Sequence, residues 1–149
     1  MKTTGHEAEL QEVADYSIQQ LRAGDFDSAF HDLIDLDPEI VYPLIAAYRS
    51  EAASDIRSSL LRIISEFRTP LALPLLAEAL RDRRDMRWKL ALDGLVTLAS
   101  PEAVQTLEAA IHGESLASNP DPVYVEWVRE ALEQAKEAQT TKSNATGIA

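Results

Sequence analysis

Three polar–proline pairs punctuate the chain at nearly equal intervals: Asp37-Pro38, Thr69-Pro70 and Ser100-Pro101, spaced 32 and 31 residues apart. Proline has no N–H to donate and holds φ near −65°. It is therefore at home in the first turn of a helix, after a polar residue that caps the open amides. Behind each pair the apolar positions recur in register: Val41, Leu44 and Tyr48, then Leu73, Leu76 and Leu80, then Val104, Leu107 and Ile111. Ala47, Ala79 and Ala110 share one further position, where a small side chain lets helices approach closely. A period of roughly 20–50 residues marks stacked supersecondary units. The pattern predicts one helix after each pair and a second helix over residues 54–67, 84–99 and 122–138.

Upstream of the first pair, Thr4-Gly-His-Glu7 has the spacing of a helix capping box, and Leu10, Val13, Ala14, Ile18 and Leu21 follow with helical period. Gly24 and Asp25 are expected to end that helix and cap the next, which carries Phe26, Phe30, Leu33 and Ile34. This hairpin, residues 4–36, matches the later units poorly, as a terminal cap would. Only 5 glycines and abundant Ala, Leu, Glu and Arg favour helix throughout. The chain is expected to be all-α, with one domain over 1–138 built from the cap and from repeats at 37–68, 69–99 and 100–138. Residues 139–149 have little apolar content and are expected to be disordered.

The second helices carry an apolar residue, an arginine and a leucine, at Asp55-Ile-Arg-Ser-Ser-Leu60, Asp85-Met-Arg-Trp-Lys-Leu90 and, without the aspartate, Val128-Arg-Glu-Ala-Leu132. The first two copies lie 30 residues apart, whereas the flanking helices match best at 31. Arg57 and Arg87 are then either equivalent or displaced by one position. Helix pairs of this length, with proline in the first helix and hydrophobic-Arg-x-x-Leu in the second, resemble the short HEAT-like repeats of small bacterial proteins, including the phycocyanobilin-lyase type. That resemblance implies a right-handed α-solenoid whose second helices line a concave binding face, and it does not imply an enzyme.

The net charge of −11 is unevenly spread. Residues 1–56 hold 12 acids against 3 bases, residues 57–99 hold 5 against 8, and residues 100–149 hold 8 against 3. An acidic whole disfavours polyanions and membrane surfaces and favours a basic protein partner. No cysteine is present, so disulfides, thiol catalysis and cysteine-ligated zinc are excluded. His6, His31 and His112 show no metal-ligand spacing, the acids from Asp25 to Glu39 miss the calcium-loop pattern, and no phosphate-binding or nucleophile-elbow motif occurs. No metal or cofactor is expected. Nor is there an apolar run of the roughly 18 residues that span a bilayer or a secretory core after Met1, so the expected location is cytoplasmic.

Arg57, Arg87 and Arg129 read as structural, each bonding a helix end or an aspartate. The run 81–89, with Arg84 among its cations and Trp88 as a stacking surface, is the one candidate nucleic-acid site, diluted by two aspartates. Tyr124 and Trp127 read as core, with the alternative that an end helix leaves an aromatic to a partner. The exposed face of the second helices is expected to hold the binding residues: Arg62, Lys89, Asp93, Glu126 and Glu130, joined by Arg84 and by the loop at 113–122. The expectation is a monomeric, non-catalytic protein-interaction module, in its most specific form an acidic immunity or inhibitor protein that neutralises a basic bacterial toxin. The alternatives are a lyase-like protein handling a chromophore or cofactor and a nucleic-acid binder.

Overall fold

The computed structural model describes residues 2–84 and 86–147, and among them the secondary structure is entirely helical. The elements are α1 (Lys2–Arg22), α2 (Phe26–Ile34), α3 (Val41–Ser50), α4 (Ser54–Glu66), α5 (Leu73–Arg81), α6 (Arg87–Leu98), α7 (Pro101–Ser115) and α8 (Pro122–Gly147). Short 3-10 turns at Pro38–Ile40 and Pro70–Ala72 precede α3 and α5. None of these helices is long and apolar enough to cross a membrane. Contacts divide the chain into two compact units, Met1–Ala72 and Leu73–Ala149, a division that falls just after the second proline pair.

The proline pairs act as the spacing predicts, with a refinement. Asp37 accepts from the Glu39 amide at 2.9 Å and Thr69 accepts from the Leu71 amide at 3.3 Å, so both cap a 3-10 turn that then feeds the α-helix. Ser100 accepts from the Ala103 amide at 3.0 Å and caps α7 directly. Asp25 caps α2 through the Ser28 amide at 3.2 Å, and the Ser28 hydroxyl, then that amide, hold its carboxyl below the usual range. Gly24 supplies the turn before it at φ 82°, a conformation costly for any residue with a Cβ. α1 begins at Lys2, two residues before the Thr4 start that the sequence predicts.

In the N-terminal unit, Ala14, Leu21, Ala29, Leu33, Ile40, Val41, Leu44, Tyr48, Leu60, Leu61, Ile63 and Ile64 form the core. Glu51, at the end of α3, accepts from the Ala53 amide at 3.0 Å and from Arg22 of α1. The amide, then the guanidinium, hold its carboxyl below the usual range. The α3–α4 turn is thereby fastened to α1.

In the C-terminal unit the core joins α5, α6, α7 and α8 through Leu75, Leu76, Ala79, Leu80, Ala91, Leu95, Ala103, Leu107, Val128 and Ala135. α7 extends to Ser115, so the expected 113–122 loop shortens to residues 116–121. α8 continues through 139–147, where disorder was expected; Thr140 there donates its hydroxyl to the Lys136 carbonyl at 2.9 Å.

Burial settles the register of the second helices. The buried residues of α4, Ile56, Leu60, Leu61, Ile63 and Ile64, each have a buried counterpart 31 residues on in α6, Arg87, Ala91, Leu92, Gly94 and Leu95, to which α6 adds Trp88 and Leu98. The left-handed residues that close these helices, Arg68 at φ 50° and Ala99 at φ 47°, keep the same interval. Arg87 is therefore the counterpart of Ile56 and not of Arg57. Asp85, the leading residue of the second motif copy, lies outside the described residues.

Candidate binding groove between α6 and α8

The three repeated arginines, expected to share one role, have three environments. Arg57 stacks on the Tyr48 ring, 4.6 Å from its centroid. Arg87 is 5% exposed, in a core position, and its charge reaches Asp82. Arg129 is exposed on α8. Burial follows the hydrophobic-Arg-x-x-Leu pattern in the first and third copies, where Ile56, Leu60, Val128 and Leu132 are buried, and departs from it in the second, where Met86 is exposed and Arg87 buried.

The cations of the 81–89 run are engaged within the unit. Arg83 bonds Glu114 at 2.8 Å, lies 3.9 Å from Asp121, and covers the Tyr124 ring at 4.1 Å. Arg84 takes both oxygens of Asp82 at 3.0 Å, and this bond, ahead of other contributions, holds Asp82 down to about 2. Lys89 sets its ammonium over the Trp127 indole, 4.2 Å from the centroid, and 5.6 Å from Trp88. Such placements draw on the negative face of the ring.

Around Lys89 the structure builds a groove of roughly 220 Å³ between α6 and α8, lined by Leu92, Asp93, Val96, Trp127, Glu130, Ala131 and Gln134. Its geometry follows from helical spacing. Trp127, Glu130, Ala131 and Gln134 stand at i, i+3, i+4 and i+7 of α8, and Leu92 and Val96 at i and i+4 of α6, so each set shares a face. The floor is apolar. Asp93 and Glu130 are exposed, and among the described residues no ion pair engages either carboxylate. The two indoles meet edge to face at 6.1 Å and Trp88 packs on Tyr124 at 5.0 Å, which braces the groove from below. Tyr124 is itself pinned: its hydroxyl donates to the Leu80 carbonyl at 3.0 Å, and burial pushes its phenol up.

Of the six residues expected to bind a partner, Asp93 and Glu130 line this groove, and Lys89 adjoins it through its contact with the Trp127 ring. Glu126 is exposed on α8 outside the groove lining. Arg84 is spent on Asp82 in the α5–α6 turn. Arg62 belongs to the N-terminal unit, where it stacks on Phe26 at 4.9 Å. Trp127, read as core, is 44% exposed, whereas Tyr124 is buried as expected. Sequence reasoning missed Arg83, the residue that fastens the 116–121 loop to the α5–α6 turn, because its partners lie 31 and 38 positions away.

Two further clefts lie in the N-terminal unit. A groove of roughly 470 Å³ runs between α1 and α3, and its charged groups are already paired, Asp15 with Gln11 at 2.9 Å and Arg22 with Glu51. At the start of α1, His6 lies 3.2 Å from Glu39, and with Asp37 these residues bring one ligand atom each within 4.8 Å of one another. All three are exposed, and the His6–Glu39 pair together with the capping bond of Asp37 accounts for the cluster. No family model, curated protein or solved structure matches the chain.

Proposed function

We propose that the chain is a short HEAT-like α-solenoid that binds one protein partner without catalysis, and that the α6–α8 groove is its contact surface. The observation that carries this reading is the exposed Trp127, set on a braced aromatic cluster and flanked by Asp93 and Glu130. Tryptophan in such a setting is the residue type that contributes most at protein interfaces. The unpaired carboxylates beside it give orientation and attract a basic surface, as the net charge of −11 does at longer range. An acidic immunity or inhibitor protein facing a basic toxin is the most specific form of this reading. Nucleic-acid binding has less support, because Arg83, Arg84 and Lys89 are engaged internally.

The test is co-purification of the tagged chain from its native host. Wild type and a control reversal at the exposed Glu108 should retain one stoichiometric protein, and the Asp93→Lys/Glu130→Lys variant should lose it with an unchanged melting temperature. Equal retention by all three refutes the placement; a preparation carrying nucleic acid or a bound chromophore in place of a protein refutes the reading itself.

A further inference from the structure

We propose that the α6–α8 groove seats one long basic side chain, lysine or arginine, presented by the partner; this rests on the protein-binding reading above. Size comes first. About 220 Å³ is the space of roughly seven waters, enough to take one extended side chain. Chemistry follows from the lining. Leu92, Val96 and Ala131 make a floor for a methylene stem, Asp93 and Glu130 stand ready for a charged head, and the Gln134 amide adds an acceptor.

Other guests fit worse. An acidic side chain would meet two carboxylates of its own sign. A purely apolar one would desolvate Asp93 and Glu130 with nothing in return. Trp127 already accepts an ammonium, that of Lys89, which shows that a cation is stable against this indole. Lys89 is also a like charge beside the seat, so it competes with the guest. The same geometry that identifies the guest thus sets its affinity below what the groove could reach.

The experiment is a titration of the ¹⁵N-labelled full chain at constant salt, followed by the Trp127 indole N–H and the Asp93 and Glu130 amides. The probes are acetyl-Gly-Arg-Gly-amide and its lysine analogue, against neutral counterparts bearing citrulline and norleucine. Arginine or lysine should produce saturable shifts at those three residues with about tenfold tighter binding than either neutral peptide, a difference of about 1.4 kcal/mol. Asp93→Asn/Glu130→Gln should remove that preference, and Lys89→Gln should strengthen basic-peptide binding several-fold. Norleucine binding as tightly as lysine, shifts confined to other surfaces, or no saturable shift overturns the proposal. The peptides need no partner, so the two readings fail separately. A partner complex that depends on Asp93 and Glu130 alongside silent peptides sinks only the basic-side-chain seat. Saturable peptide binding with no stoichiometric partner sinks only the protein-binding reading.

Discussion

Arg83 and Arg84 are neighbours in sequence with the same side chain, yet replacing them with alanine should give very different results. Arg83 bonds Glu114, whose side chain is 9% exposed, at 2.8 Å and covers the Tyr124 ring at 4.1 Å. A charge-assisted hydrogen bond contributes about 1.5–3 kcal/mol and a cation–ring contact about 0.5–1 kcal/mol. Arg83 is itself 33% exposed, so solvent screens part of this and the lower half of the range applies. Arg83→Ala should cost about 2–3 kcal/mol. Arg84 has ideal bidentate geometry on Asp82, but its side chain is 84% exposed, and exposed pairs contribute little. Arg84→Ala should cost at most about 0.5 kcal/mol. Urea unfolding followed by tryptophan fluorescence measures this, because the chain's two tryptophans, Trp88 and Trp127, both lie in the C-terminal unit. A double-mutant cycle with Glu114→Gln should return about 1–2 kcal/mol of coupling to Arg83. Equal losses for the two arginines, or no coupling, would refute the reasoning that burial of Glu114 decides the difference.

Other expected outcomes follow from single groups. Ser17 is fully buried on α1 and its hydroxyl has no hydrogen-bond partner, so Ser17→Ala should raise stability by about 1 kcal/mol, seen in melts followed by circular dichroism. Arg68 and Ala99 adopt left-handed backbone after α4 and α6, where glycine carries no strain. Each replacement by glycine should stabilise its own unit by about 0.5–1 kcal/mol in urea titrations, and the opposite change, Gly24→Ala, should destabilise. The Asp82 carboxyl, held down chiefly by the Arg84 hydrogen bond, should titrate below the ordinary carboxylate range by NMR and rise in Arg84→Ala, by no more than the few tenths of a unit that about 0.5 kcal/mol allows. Since the folded value lies below the unfolded one, its stabilising contribution is complete above about pH 4 and disappears as the pH falls towards 2.

Much of the architecture was legible because it rests on local chemistry. Capping oxygens at Asp25, Asp37, Thr69 and Ser100 act within three residues, so spacing alone finds them. The site was legible only in part. Lys89, Asp93 and Glu130 are polar residues at solvent-facing helical positions, which periodicity identifies. Trp127 was misread because aromatic residues on an amphipathic helix are usually inward, and only the packing of Trp88 between Tyr124 and Trp127 decides which ring is left outside. Arg83 and the His6–Glu39 pair were invisible for a different reason: each contact closes a gap of about 31 residues or more, and an ion pair leaves no periodic trace.

The one-residue disagreement between the arginine motif and the helix register has a physical resolution that bears on function. With Arg87 occupying the place of Ile56, the residue after it becomes Trp88 where the first copy has Arg57. In the first copy that arginine stacks on Tyr48 of its own hairpin, whereas the second hairpin has Leu80 in the tyrosine's place. A tryptophan there instead reaches Tyr124 and Trp127 of α8 and builds the aromatic cluster that supports the groove. The shift also moves Lys89 up against the Trp127 indole and sets Asp93 one turn further along the same helix. If this is the origin of the groove, then Trp88→Arg should remove the brace, and Leu80, standing where the first copy has Tyr48, offers the new arginine no ring in exchange. Trp127 would become more solvent-exposed, its emission would move to longer wavelength, and the saturable binding of basic peptides would be lost while α6 remains helical by circular dichroism. Retained peptide binding in that variant would show that α8 alone makes the seat.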